Sequence, residues 1–147
     1  MIDITKNEIV LNDYMSFKNE PESGSLLFFC GTTRDNNLDK KGKYLEYEKF
    51  EEMALIKLNE IRKFAISEWN LNRLDIIHRI GIVDISEISL LIIASSPHRN
   101  ESFRAIEYVI DELKKSVPIW KKEFYVDGDA WIGSPDNPNW IDIQLNV

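Results

Sequence analysis

Residues 73–117 read RLDIIHRIGIVDISEISLLIIASSPHRNESFRAIEYVIDELKKSV, and their pattern decides the fold class. Arg73 to Ile80 predicts a strand, with Leu74, Ile76, His78 and Ile80 on one face. Glu87 to Ser95 is apolar through most of its length, the pattern of a central strand buried on both faces. The short link around Asp84 to Ser86 predicts a hairpin between the two. From about Asn100 to Val117 the period changes. Phe103, Ile106, Ile110, Leu113 and Val117 step by three, four, three and four, which predicts a helix with one buried stripe. Asn100 is suited to cap it, Glu101 complements its dipole, and Pro118 stops it.

Upstream, residues 51–69 predict another helix, with Ala54, Leu58, Ile61, Ala65 and Trp69 as its buried stripe. Tyr44 to Phe50 and the apolar run Ser25 to Gly31 read as strands. Thr32 to Lys43 between them is a long polar loop, a length often tied to function. Glu20 to Gly24 reads as a turn, residues 12–18 as a short helix capped by Asn12, and residues 2–5 as an edge strand. Downstream, Trp120 to Val126 predicts a strand. Asp127-Gly128 signals a hairpin leading to Trp131, and the tail with Pro135 and Pro138 reads as irregular. The order β-β-α-β-β-α-β-β favours an α+β fold with a mostly antiparallel sheet over a doubly wound parallel one.

The 147 residues fit one domain, with its core from about residue 24 to 132. Apolar residues make up 44% and charged residues 29%, an ordinary globular balance. The longest apolar runs, Ser25 to Cys30 and Ile88 to Ala94, are too short to span a bilayer, so no membrane association is expected. Met1 to Thr5 has no basic start followed by an apolar core, so no secretory signal is visible. The single cysteine, Cys30, excludes an internal disulfide framework and fits a reducing cytoplasm. A net charge of −7 argues against nucleic-acid binding through the bulk field.

The charge is uneven. His98, Arg99 and Arg104 precede Lys114, Lys115, Lys121 and Lys122, a local cationic cluster suited to a small anion. A solvated charged face is the plainer reading of the lysines taken alone. Ser95-Ser96-Pro97-His98-Arg99-Asn100 joins a buried strand to a helix N-terminus, where backbone N–H groups favour anions. There Arg99 can grip phosphate with two donors and His98 can add a third. Gly31-Thr32-Thr33-Arg34-Asp35 also follows a buried strand, and Arg34 is suited to a phosphate or carboxylate; a surface pair with Asp35 is the alternative. Pro118 separates Lys114, at the end of a helix, from Lys121, on the next strand, so the two amines can converge. An Asp111–Lys114 surface pair is the alternative for the first. His78, on an apolar strand face, reads as a hydrogen-bonded core histidine. Cys30 reads as a core residue. Two histidines and one cysteine make no zinc-ligand set, so no metal or other cofactor is expected.

Five stretches carry a resemblance to a known family. They are Gly31 to Asn37, Leu45 to Glu48 with Met53-Ala54, His78 to Gly81, Ser95 to Arg99, and Pro118 to Glu123. In order and spacing the set resembles the MoaE family, the large catalytic subunit of molybdopterin synthase. Asp84 to Glu87 departs from it by lacking the usual glycine of that turn, and the loop after Asn37 is individual. The resemblance implies an α/β-hammerhead type of α+β fold and a cytoplasmic homodimer within a heterotetramer. Its partner would be a small ubiquitin-like sulfur carrier ending in a Gly-Gly thiocarboxylate. The implied reaction is sulfur transfer to cyclic pyranopterin monophosphate, forming the dithiolene of molybdopterin in molybdenum cofactor biosynthesis. It also implies roles for residues: Lys114 and Lys121 as the catalytic pair, and Thr32, Thr33, Arg34, His98 and Arg99 as substrate-binding residues, with Lys122 and Glu123 beside them. Leu145-Asn146-Val147 lacks Gly-Gly, so the chain resembles the acceptor and not the carrier. Two competing readings stay open: Schiff-base chemistry at Lys114 on a phosphorylated carbonyl compound, and a non-catalytic module that recognises a partner's extended tail.

Overall fold

The apolar run at the centre of the sequence becomes the central strand of a sheet. The computed structural model describes residues 1–16, 20–37, 40–49, 51–125 and 128–132; for 36–37, 40–43, 45, 47–49, 51, 120, 122–125 and 128–132 it describes the backbone alone. The elements are β1 (Ile2–Thr5), a 3₁₀ turn (Leu11–Tyr14), β2 (Ser25–Thr32), β3 (Asn36–Asn37), β4 (Lys40–Lys49), α1 (Glu51–Trp69), β5 (Arg73–Arg79), β6 (Gly81–Asp84), β7 (Ile88–Ser96), α2 (Arg99–Ser116), β8 (Ile119–Tyr125) and β9 (Gly128–Ile132). Phe50, the Val126-Asp127 end of the expected hairpin, part of the loop after Asn37, and the proline-containing tail lie outside the described residues.

The fold is α+β, with two sheets. The first has strand order β1-β5-β7-β2. β7 runs antiparallel to both neighbours, pairing Ser25 with Ser96 at one end of β2 and Thr32 with Ile88 at the other. β1 joins the edge in parallel, Ile2 opposite Ile76. The second sheet follows β3-β4-β8-β9, and β6 pairs with β4 as well.

Alternation along the first sheet gives it two apolar faces. Leu74, Ile76, Leu90, Ile92 and Ala94 pack beneath both helices. α1 contributes Ala54, Leu58, Ile61 and Ala65, the expected stripe, with Trp69 half-buried at its end. The opposite face, with Ile77, Leu91 and Ile93, is covered by Ile9 and flanked by Leu11, Tyr14, Leu26 and Phe28. α1 ends with Asn70 in the left-handed region, φ 48. The Leu71 N–H then bonds the Ile66 carbonyl at 3.2 Å, so the last turn closes as a Schellman motif.

Several expectations are corrected. Strands β5 and β7 do pair, but no simple hairpin joins them, because Gly81–Asp84 crosses to pair with β4, Tyr47 opposite Gly81. Gly81 permits that departure with φ 77. The expected 12–18 helix is the 3₁₀ turn Leu11–Tyr14, entered from Val10 without a side-chain cap, so Asn12 lies inside it. α2 starts one residue earlier than expected; its N-cap is His98 and Asn100 sits in its first turn. Its buried arc is Ser102, Ala105, Ile106, Val109 and Leu113, and Phe103 is 60% exposed. The helix presents its small residues where it lies closest to its neighbours, which turns Phe103 to the margin. The loop expected over 32–43 contains β3 and the start of β4, paired Asn36 with Lys41.

Candidate active site

The strand-to-helix turn at His98 is held from beneath. Ser95 and Ser96 are fully buried at the end of β7. The Ser96 hydroxyl donates to the His98 carbonyl at 2.6 Å, which leaves the Ser102 hydroxyl as donor to Ser96 Oγ. Gly24 lies against the same turn: its N–H bonds the Ser96 carbonyl at 3.1 Å, and a Cβ there would collide with the Pro97 carbonyl oxygen. His98 is extended and makes no side-chain cap, so the leading N–H groups of α2 are not capped by it. His98 and Arg99 are exposed.

The turn at Arg34 is held differently. β2 ends in a register shift between Gly31 and Thr32. Thr32 is exposed, whereas Thr33 is only 3% exposed. The Thr33 N–H bonds the Glu87 carbonyl at 3.1 Å, and the Thr33 carbonyl accepts from the Ser86 N–H at 2.8 Å. Arg34 is the next residue, and it is exposed.

Antiparallel pairing separates these two turns. Each follows the C-terminal end of a strand, but β2 and β7 run in opposite directions. β2 is eight residues long, so its ends stand about 25 Å apart at the usual rise. Arg34 is therefore at the Ile88 end of the ladder, and His98 and Arg99 are at the Ser96 end.

Lys114 and Lys121 belong with Arg34. α2 leaves the Ser96 end and lies over β7 and β2. Its 18 residues extend about 27 Å, enough to cross the sheet. The Asn72 N–H bonds the Ser95 carbonyl at 2.9 Å, so α1 also ends near Ser96 and begins at the far side. β8 starts there, with Ile119 opposite Lys49, just before α1. Lys114, in the last turn of α2, thus reaches the Ile88 end. Lys121 is half-buried on β8, opposite Tyr47 and Ile132. Lys115 pairs with Glu112 at 3.6 Å. Lys122 stands opposite Glu46 and Trp131, and Glu123 opposite Leu45 and Ala130.

His78 is 4% exposed, and its Nδ1 donates to the Arg79 carbonyl at 2.7 Å. Burial lowers its pKa to about 4, outweighing that hydrogen bond, so the ring is neutral near pH 7. This is the expected core histidine. Cys30 is half-buried, and burial pushes its thiol up, away from thiolate character. Among the described residues no group of three or more His, Cys, Asp or Glu side chains is placed to hold a metal ion. No helix among them is long and apolar enough to cross a membrane.

Gly24, Ser102, Arg79 and Glu87, which support these turns, carry no ligand signature in the sequence; the signal that bears on them there is the glycine-free turn at Asp84 to Glu87.

The described elements define an α+β protein of two helices on an antiparallel-dominated sheet, with cationic turns at both ends of one strand pair. The chain belongs to the MoaE family, whose model, described as MoaE protein, matches residues 4–116. It is 42% identical over 137 residues to a molybdopterin synthase catalytic subunit of Dictyostelium discoideum, covering 90% of this chain and 87% of the relative. A protein of the same name from Bacillus subtilis is 40% identical over 131 residues, covering 89% and 83%. Among solved structures, molybdopterin synthase from Staphylococcus aureus matches with a TM-score of 0.81 at 40% identity, over 88% of this chain and 95% of that one. A complex of subunits 1 and 2 of molybdopterin-converting factor from Helicobacter pylori shares the fold, with a TM-score of 0.72 at 19% identity, over 92% and 91%.

Proposed function

We propose that this chain is the catalytic subunit of a molybdopterin synthase, a sulfurtransferase that inserts two sulfurs into cyclic pyranopterin monophosphate as a dithiolene. The sulfur comes from the thiocarboxylated C-terminus of a small carrier subunit. A thiocarboxylate is already a sulfur nucleophile, so the chain needs no nucleophile of its own. It must hold the phosphate, stabilise anionic intermediates and move protons.

One observation carries this reading: Arg34, Lys114 and Lys121 come from a loop, a helix end and a strand to the same end of the sheet. In the reading, Lys114 and Lys121 exchange protons with the reacting pterin, and Arg34 binds an anionic group beside Thr32 and Thr33. His98 and Arg99, at the opposite end, serve the site of a second copy in a two-fold homodimer, whose own His98 and Arg99 serve this one. Lys122 and Glu123 flank Lys121.

Reconstitution tests the activity. This chain, thiocarboxylated carrier and cyclic pyranopterin monophosphate are expected to give dithiolene product, and Lys114→Ala and Lys121→Ala to abolish turnover while the complex still forms. Product from the lysine variants at the wild-type rate refutes the assignment. Mixing tests the shared site. Arg34→Ala and His98→Ala chains, each inactive alone, are co-refolded; about half of the dimers are mixed, each with one intact site, giving about a quarter of wild-type activity. No recovery means that each chain serves only its own site.

A further inference from the structure

Glu87 lies at the centre of a clamp on the residue before Arg34. One carboxylate oxygen, Oε2, accepts from Arg79 Nη1 at 2.7 Å and from the Asp84 N–H at 2.9 Å. The Glu87 N–H bonds the Asp84 carbonyl at 3.1 Å, closing the turn from β6 to β7. The backbone of that turn then grips Thr33 twice, through the Glu87 carbonyl and the Ser86 N–H. The Thr33 hydroxyl has no hydrogen-bond partner among the described residues, so its place is set by the backbone bonds and packing.

The turn is not relaxed by itself. Ser86 has φ 70, a left-handed conformation that a residue with a Cβ adopts at a penalty of about 1 kcal/mol. Something must hold it, and the Arg79–Glu87 pair is well placed to do so, with side chains only 11% and 26% exposed. Loss of the carboxylate leaves the Asp84 N–H and the Arg79 guanidinium without this acceptor. The strained turn can then relax, and the grip on Thr33 loosens one residue away from Arg34.

We infer that Glu87, braced by Arg79, is a positioning residue for Arg34. It acts through the backbone of Thr33, setting where the Arg34 backbone leaves the sheet. The inference rests on the reading above, in which Arg34 binds an anionic group of the pterin substrate.

The test is a double-mutant cycle in the reconstituted synthase, with KM for cyclic pyranopterin monophosphate and kcat measured separately. Glu87→Ala is expected to raise KM about tenfold, a misplacement effect, with a smaller loss in kcat. Glu87→Gln, which keeps an acceptor for Asp84 and Arg79, restores most of the loss. In an Arg34→Ala background, Glu87→Ala adds nothing further. Amide hydrogen exchange at Thr33 is expected to speed up in Glu87→Ala. If Arg34→Ala raises KM while Glu87→Ala does not, the positioning inference falls and the synthase reading stands. If the two losses add in full, or Thr33 exchange is unchanged, Glu87 acts on the fold alone and the inference also falls. If Arg34→Ala has wild-type kinetics, the role of Arg34 in the synthase reading fails first and the inference with it. Should Glu87→Ala not fold, Arg79→Gln removes the other half of the brace and is read in the same cycle with the same outcomes.

Discussion

Replacing His78 with asparagine isolates a pH dependence built into the core. The imidazole pKa is 6.5 in an open chain and about 4 in the folded protein, because burial disfavours the charged ring. Between these values the unfolded chain binds a proton that the folded one does not. Stability is therefore complete above pH 6.5 and falls as the pH drops towards 4. The loss is about 3 kcal/mol, taking 1.36 kcal/mol for each pH unit of that window. The asparagine side chain does not titrate, and its amide can replace the Nδ1–H bond to the Arg79 carbonyl. Urea unfolding at about pH 7.5 and about pH 4 is the assay, with free energies compared between wild type and His78→Asn. Carboxylates titrate in both proteins and cancel in the difference. The wild type is expected to lose about 3 kcal/mol more than the variant on acidification. Parallel losses refute the reasoning, and a His78 NMR titration near pH 6.5 refutes it directly.

Three further outcomes follow from backbone geometry. Ser86→Gly removes the left-handed strain at φ 70 and is expected to raise stability by about 1 kcal/mol, read as a higher denaturation midpoint with an unchanged slope. Asn70→Ala places a Cβ-bearing residue without a compensating polar group at φ 48, so the closing motif of α1 weakens and stability falls by about 1 kcal/mol, while Asn70→Gly is neutral or better. Gly24→Ala drives a methyl against the Pro97 carbonyl; the expected result is a loss of about 1–3 kcal/mol, with chemical-shift changes concentrated at Ser96 to Arg99 and absent at Thr33.

Much of the fold is readable in the sequence because local pattern and tertiary role agree. The continuous run Ile88 to Ala94 is the central strand, and the stripe Ala54, Leu58, Ile61, Ala65 faces the sheet. Where a choice is non-local, the pattern is silent. Gly81–Asp84 has four residues and no periodicity to show which sheet it joins. Phe103 fits a helical stripe by spacing, yet the helix prefers to bury Ser102 and Ala105. The candidate site shows the same boundary. Arg34 and His98 are each recognisable as cations after a buried strand. In a parallel sheet those two turns would be neighbours; in this antiparallel pair they are at opposite ends, and nothing in either segment states the direction of its partner.

The strand order also has a consequence for the nascent chain. Each strand of the first sheet made before α1 waits for a neighbour made after it: β1 for β5, and β2 for β7. A ribosome that has released the chain only as far as Trp69 therefore holds two strands of that sheet, β1 and the more apolar β2, with no complement. β2, rich in Leu and Phe, stays unpaired until Ile88–Ser96 emerges. Over that interval of synthesis the segment Ser25 to Thr32 exposes apolar side chains and unpaired backbone groups, the features that favour aggregation or chaperone capture, and its pairing comes late in synthesis.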